Sequence, residues 1–159
     1  ANVLAEIVGF AMNSDASSIV VPSQHGAATS MRLALKDARM DISDVGYINA
    51  HGTGTRANDT TECAAITKVF GAQVKKLMVS STKSMHGHLI GGTGAVELLA
   101  CIMATRDGII APTIGYEQKD TSCDIDVVPN IARNAKVKGV VSNAFAFGGM
   151  NAVLVMGPV

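Results

Sequence analysis

The sequence contains no apolar run of about 18 residues, so nothing in it reads as a membrane span, and no stretch has the layout of a signal peptide. It carries no excess of either charge. Thirteen basic residues stand against 13 acidic ones without a long block of either sign, which leaves no electrostatic footprint for nucleic acid or an anionic membrane surface and favours small partners. Its three cysteines, Cys63, Cys101 and Cys123, fit no metal-ligand spacing, and their odd number argues against a disulfide framework. A soluble protein in a reducing, cytoplasmic setting is the expectation. Tryptophan is absent while glycine occurs 16 times, a balance that suits α/β proteins with tight backbone approaches and loop-borne sites. At 159 residues and 48% hydrophobic content, the chain can bury one core, and 1–159 is read as one unit.

What is present alternates. Residues 3–11 read as a strand that begins almost at the first residue, an unusual place for a domain to start. The segment 13–23, rich in Ser and Asp, reads as a loop, and Ala27, Met31, Leu35 and Ala38 fall at helical spacing, predicting a helix over 27–39. A strand is expected at 45–50. Asn58 or Asp59 is the expected N-cap of a helix that has Glu62 in its first turn and stops at Gly71. A short buried strand follows at 77–80, then an almost wholly apolar helix at 95–105, whose composition implies burial on several sides. Residues 109–134 read as a long irregular connection with a short strand at 125–128. Two strands, 138–145 and 152–156, close the chain around Phe147-Gly148-Gly149-Met150. The order β-α-β-α-β-α-β-β predicts an α/β fold with a mixed sheet, parallel where the crossovers are helical, and function at the strand carboxyl ends.

Two such ends carry titratable side chains on glycine turns: Asn49-Ala50-His51-Gly52-Thr53-Gly54-Thr55, and Lys83-Ser84-Met85-His86-Gly87-His88. They should meet in one crevice. Together with Asp59 and Glu62, with Ser80-Ser81-Thr82 before Lys83, with 91–97 after His88, and with Ser142-Asn143-Ala144-Phe145-Ala146-Phe147-Gly148-Gly149-Met150-Asn151, these motifs resemble the carboxyl-terminal half of a β-ketoacyl-[acyl carrier protein] synthase. The type resembled is the elongating one, with a Cys-His-His site on a thiolase-like fold. The resemblance covers essentially the whole chain and implies a two-halved fold in which each half has the strand and helix order read above. It also implies that the nucleophilic cysteine belongs to an amino-terminal half absent from this sequence. Cys63 and Cys101 fall inside helices and Cys123 in the irregular connection, without the helix N-terminus or cationic neighbour that lowers a thiol pKa, so all three read as structural.

In that family, decarboxylation of a malonyl thioester leaves an enolate whose charge needs hydrogen-bond donors already in place. The resemblance assigns His51 and His88 this role, each neutral and donating through Nε2–H. It pairs Lys83 with Glu97 to orient His88 and bias its charge state. It gives the Phe147 backbone N–H half of an oxyanion hole and the Phe147 ring a gate over the acyl pocket. Thr53 and Thr55 would hold the phosphopantetheine arm rather than merely satisfy turn amides, and Asp59, Glu62 and Phe145 would be supporting residues. No cofactor of its own is implied, since phosphopantetheine arrives on the acyl carrier protein. The expected partners are that carrier, the amino-terminal half, and a second copy in a homodimer of the complete enzyme.

Other readings stand beside these. His25 has no supporting motif. His86-Gly87-His88 in an extended segment could place two rings on one face, yet no third ligand stands at a recognisable spacing, so no metal is expected. Gly91-Gly92-Thr93-Gly94 before a helix lacks a following Lys-Ser/Thr and reads as close helix–sheet packing rather than a phosphate cradle. Two positions depart from the family: Val20 stands where a second pantetheine-contacting threonine is expected, and His86 replaces the commoner small hydroxyl residue. His86, Gly91-Gly92 and Phe145-Ala146-Phe147 are similar to specialised synthases of the nodulation type. A chain-length-factor-like partner that has lost the chemistry would have no reason to keep His51, Lys83 and His88. A metal-dependent hydrolase using the histidines would need tight zinc binding.

Overall fold

The computed structural model describes residues 1–159. Strand β1 (Glu6–Ser14) leads to helix α1 (Gln24–Asp37), which starts three residues before the first periodic apolar position because Ser23 caps it, its side chain accepting the Gly26 N–H. Ala27, Met31, Ala34 and Leu35 form its buried face. Strand β2 (Val45–Asn49) is followed by α2 (Arg56–Phe70). The expected cap at Asn58 or Asp59 is not used: Thr55 occupies the N-cap without a side-chain bond, and Asn58, Asp59 and Glu62 lie within the helix. Strand β3 (Met78–Ser80), the single helical turn α3 (Lys83–His86) and α4 (Thr93–Asp107) come next. Gly108, at φ 66°, ends α4 with its N–H on the Met103 carbonyl.

A two-stranded ribbon, β4 (Ile109–Ile110) with β5 (Arg133–Asn134), brackets the irregular connection. The strand expected at 125–128 does not form; only isolated bridges occur, Met78 with Asp126 and Thr113 with Pro129. Asp126 spends its carboxylate on the Val128 N–H and on Arg133, and Val128 sits at φ 49°, a backbone that cannot continue a strand. Strands β6 (Gly139–Ala146) and β7 (Met150–Gly157) close the fold as a hairpin.

The main sheet runs β1-β7-β6-β2-β3. β2 is parallel to both β6 and β3, while β7 is antiparallel to β6 and to β1, so four strands point one way and β7 opposes them. Helices α1 and α2 pack on one face, where Met31, Leu35, Ile66 and Phe70 meet Ile48, Val79 and Val141. Helix α4 covers the other, where Cys101 and Ala104 meet Tyr47, Val140 and Met156. Tyr47 and Ile48 thus serve opposite cores, as successive strand residues must. Burial of α4 on several sides does not occur: its buried residues are Thr93, Glu97, Cys101 and Ala104, while Leu99 is 61% and Met103 42% exposed. The glycines at 91, 92 and 94 do not serve close helix–sheet packing either, since a Cβ on any of them meets nothing closer than 3.9 Å.

Register delivers the functional loops to one place. Asn49, the last residue of interior strand β2, pairs with Ser80 of β3 on one side and Ser142 of β6 on the other. Each of these residues opens one of the three polar motifs, so the motifs leave the sheet at the same level.

Candidate active site

His51 and His88 meet beyond this edge with ring centroids 5.7 Å apart and planes at 85°. His51 is 9% exposed and lies 5.6 Å, ring to ring, from Phe145. Burial, then the positive charge of Lys83 and then His88, push its pKa down to about 3, which keeps it a neutral imidazole. His88 is more open, but its tautomer is fixed: the Ile90 backbone N–H donates to Nδ1 at 3.1 Å, and the Thr93 hydroxyl lies 3.1 Å from the same nitrogen. An Nδ1 that accepts leaves the proton of the neutral ring on Nε2. The rings of His86 and His88 bond to different partners, and His86 ends a helical turn rather than an extended segment.

A pKa this low has a measurable consequence. The unfolded chain protonates such a ring near 6.5, whereas the fold holds out to about 3. His51 therefore contributes stability fully above pH 6.5, and that contribution is lost as pH falls from 6.5 towards 3. In a ¹H–¹⁵N titration, the His51 ring resonances should stay flat between pH 5 and 8. A His51 inflection inside that window would contradict the neutral assignment.

Lys83 and Glu97 form a buried ion pair at 2.5 Å, their side chains 5% and 1% exposed. Burial raises the Glu97 carboxyl, and the hydrogen bond and charge of Lys83 draw it back. The pair was expected to orient His88. The bonds to that ring come instead from Ile90 and Thr93, and the charge of Lys83 acts on His51. Beside the pair, Asn49 Nδ2 donates to Thr82 Oγ1 at 3.1 Å and lies 3.5 Å from the Glu97 carbonyl.

Glu62 sits wholly inside, and its carboxylate accepts the His51 N–H at 2.9 Å, the Gly52 N–H at 2.8 Å, Asn143 Nδ2 at 3.0 Å and Asn58 Nδ2 at 3.4 Å. Burial raises its pKa against these donors. It is the brace of the His51 loop. Asp59 accepts from Asn58 Nδ2 at 3.1 Å, and burial raises its carboxyl while Asn58 and the Gly54 N–H draw it back. Gly52 is required at φ 40°, where a Cβ would lie 2.5 Å from that of Ser81. The Ser81 hydroxyl donates to the Gly52 carbonyl and ties the two loops together.

Thr53 and Thr55 bond to each other, Oγ1 to Oγ1 at 2.8 Å, and the hydroxyl of Thr55, the N-cap residue, bonds to no amide of α2. Thr53, Ser81, Lys83 and His88 line a cleft of about 490 Å³ that continues to Tyr116 and Cys123. His51 is not among the residues that line it. Phe147, in the turn between β6 and β7, is 75% exposed. That turn is anchored on the loop after β1, with Gly148 N–H on the Ile19 carbonyl and Asp15 N–H on the Gly149 carbonyl, both 2.9 Å.

Neither Cys63 nor Cys101 is activated. Burial pushes Cys101 up to about 12 and raises Cys63 as well, where the facing Cys123 thiol and the charges of Glu62 and Asp59 add to the effect. Cys123 Sγ donates to the Asp59 carbonyl at 3.5 Å. Thr93 and Asn143 were not singled out from the sequence as site residues, although both lie inside motifs that were. A hydroxyl at the start of a helix five residues after a histidine was the available signal for Thr93.

The β-ketoacyl synthase C-terminal domain family matches residues 4–117. Nodulation protein E of Rhizobium sp. (strain N33) is 49% identical over 97% of this chain and 38% of that relative. The 3-oxoacyl-[acyl-carrier-protein] synthase 2 of Coxiella burnetii is 48% identical over 98% of this chain and 38% of that relative. A solved complex of a type II polyketide synthase acyl-carrier protein with its ketosynthase, bound to the hexaketide, superposes with a TM-score of 0.96 at 34% identity, covering 100% of this chain and 40% of that one. The chain thus spans under two fifths of the length of the relatives it matches. With a family match over residues 4–117 and a superposition covering the whole chain, the chain belongs to the β-ketoacyl synthase family as its carboxyl-terminal domain.

Proposed function

We propose that this domain supplies the decarboxylating side of a condensing-enzyme site that joins malonyl and acyl units in fatty-acid or polyketide assembly. One observation carries the reading: the His51 and His88 rings stand edge to face at 5.7 Å, close enough for two N–H groups to share one oxygen at about 2.9 Å each. Both rings are neutral donors by construction, His51 through burial and His88 through the groups on its Nδ1. When the bond between the malonyl Cα and its carboxylate breaks, carbon dioxide leaves and the electron pair spreads to the thioester oxygen, where both donors meet it.

The enolate carbon then attacks an acyl group held on a cysteine outside this chain. Phe147 N–H stabilises the resulting oxyanion, and the thiolate leaves. Thr53 and Thr55, with hydroxyls paired beside the cleft and bound to no turn amide, hold the phosphopantetheine arm of the carrier. Exposed Leu99, Met103, Ile90 and Phe147 form apolar surface for the remainder of the synthase and for a second copy in a homodimer. A chain-length-factor-like role is disfavoured because His51, Lys83 and His88 are all kept and the Lys83–Glu97 pair is fully built.

Incubating the chain alone with an acyl carrier thioester tests where the nucleophile lies. Intact mass spectrometry is expected to find no acyl adduct, because burial holds Cys63 and Cys101 protonated and the Cys123 thiol is engaged with the Asp59 carbonyl. Acylation of any of the three would overturn the division of labour proposed here.

A further inference from the structure

We propose that His86 is a positioning residue for decarboxylation, locking the turn that carries His88 and the amide of Asn49 through two hydrogen bonds of opposite sense. The inference rests on the role proposed for His88. His86 is the last residue of α3, and its Nδ1 lies 2.8 Å from the Gly87 carbonyl. A carbonyl only accepts, so Nδ1 carries the proton. The other nitrogen of the neutral ring must then accept, and Nε2 lies 3.1 Å from Thr82 Oγ1. Thr82 is buried and has a single hydroxyl proton, which goes to His86. Its oxygen can therefore only accept, and it does so from Asn49 Nδ2 at 3.1 Å.

The direction of the whole chain of bonds follows: Asn49 N–H to Thr82, Thr82 O–H to His86 Nε2, and His86 Nδ1–H to the Gly87 carbonyl. The Gly87 end bears on His88, while the Asn49 end only sets the orientation of that amide. Gly87 immediately precedes His88 and sits at φ 77° and ψ 178°, a backbone with no side chain of its own to hold it, so the bond to its carbonyl fixes the peptide plane from which His88 projects. Asn49 ends β2 two residues before His51, and its amide orientation, with NH₂ towards Thr82 and the Glu97 carbonyl, is imposed by the proton that Thr82 gives away. A small hydroxyl side chain at this position is too short to reach both partners at once.

The test is steady-state malonyl decarboxylation by the intact synthase carrying His86→Ala, His86→Asn or His86→Gln, each also in the His88→Ala background. Asn puts an amide N–H where Nδ1–H stood and keeps the Gly87 bond, whereas Gln puts its oxygen near the place of Nε2 and keeps only the Thr82 bond. His86→Ala is expected to lower kcat about tenfold, the scale of a small misplacement of a reacting group, with KM for the malonyl carrier within about twofold, since the ring touches no substrate. His86→Asn should recover most of the rate and His86→Gln should not. In the His88→Ala background His86→Ala should add nothing, because it acts through that ring. An unchanged kcat for His86→Ala, a loss that multiplies with His88→Ala, or equal rates for the Asn and Gln variants would each overturn the proposal. Where the Ala variant does not fold, the Asn and Gln pair decides. If His88→Ala itself leaves decarboxylation intact, the reading of His88 fails; if His88→Ala abolishes it while His86→Ala is silent, only the role of His86 fails.

Discussion

Replacing Glu97 with Ala is expected to cost the fold about 3–5 kcal/mol, because it leaves the Lys83 ammonium buried without its counter-charge. Lys83 is 7% and Glu97 1% exposed, and the two meet at 2.5 Å, so water cannot take the place of the lost carboxylate. Surface pairs such as Lys75–Asp124, both more than 60% exposed, should contribute less than about 1 kcal/mol by comparison. The control is the double replacement Lys83→Met with Glu97→Leu. Removing both charges together removes the desolvation burden along with the attraction, so the double variant should be much nearer to the parent in stability than Glu97→Ala is. Urea unfolding of the three proteins measures this. Equal destabilisation in the single and double variants would mean that the pair serves packing rather than charge compensation.

The parts of this arrangement legible in the sequence were those set by short-range rules. Alternating apolar segments gave the order of strands and helices, and glycine turns after 45–50 and 77–80 marked where polar side chains leave the sheet. Long-range partners were not legible. Asn58, Asp59 and Glu62 look like helix-start residues by composition, but Glu62 is turned back to the His51 and Gly52 amides, and only the fold shows that those amides lie within its reach. The alternation at 125–128 resembles a strand until Asp126 is seen to bind Arg133 and the Val128 amide. The glycines at 91, 92 and 94 resemble a packing contact, yet open space surrounds them. What that segment supplies is Thr93, whose hydroxyl meets His88 Nδ1. The apolar composition of α4 predicts an interior helix, whereas Leu99 and Met103 leave part of it exposed.

His51→Ala and His88→Ala are each expected to lower malonyl decarboxylation in the intact synthase by about two to three orders of magnitude, the usual loss on deleting one oxyanion donor. The two rings need not be equal. His51 is neutral because it is buried beside Lys83, so His51→Gln, which keeps an N–H near the place of Nε2, should recover part of the rate. His88 is tuned by the Ile90 amide and the Thr93 hydroxyl, so Thr93→Val should weaken decarboxylation through the His88 ring and add little once His88 is Ala. On the role proposed for the Phe147 backbone N–H, transfer of the acyl group to the nucleophile needs neither imidazole, and it should fall far less.

The most direct measurement is therefore carbon dioxide release from malonyl-loaded acyl carrier protein by the parent synthase and by its His51→Ala and His88→Ala forms, with acyl transfer assayed on the same preparations. The expected result is a loss of about 10²- to 10³-fold in carbon dioxide release for each variant, with acyl transfer retained within about tenfold. Undiminished carbon dioxide release, or an equal collapse of both half-reactions, would contradict paired enolate donation by His51 and His88.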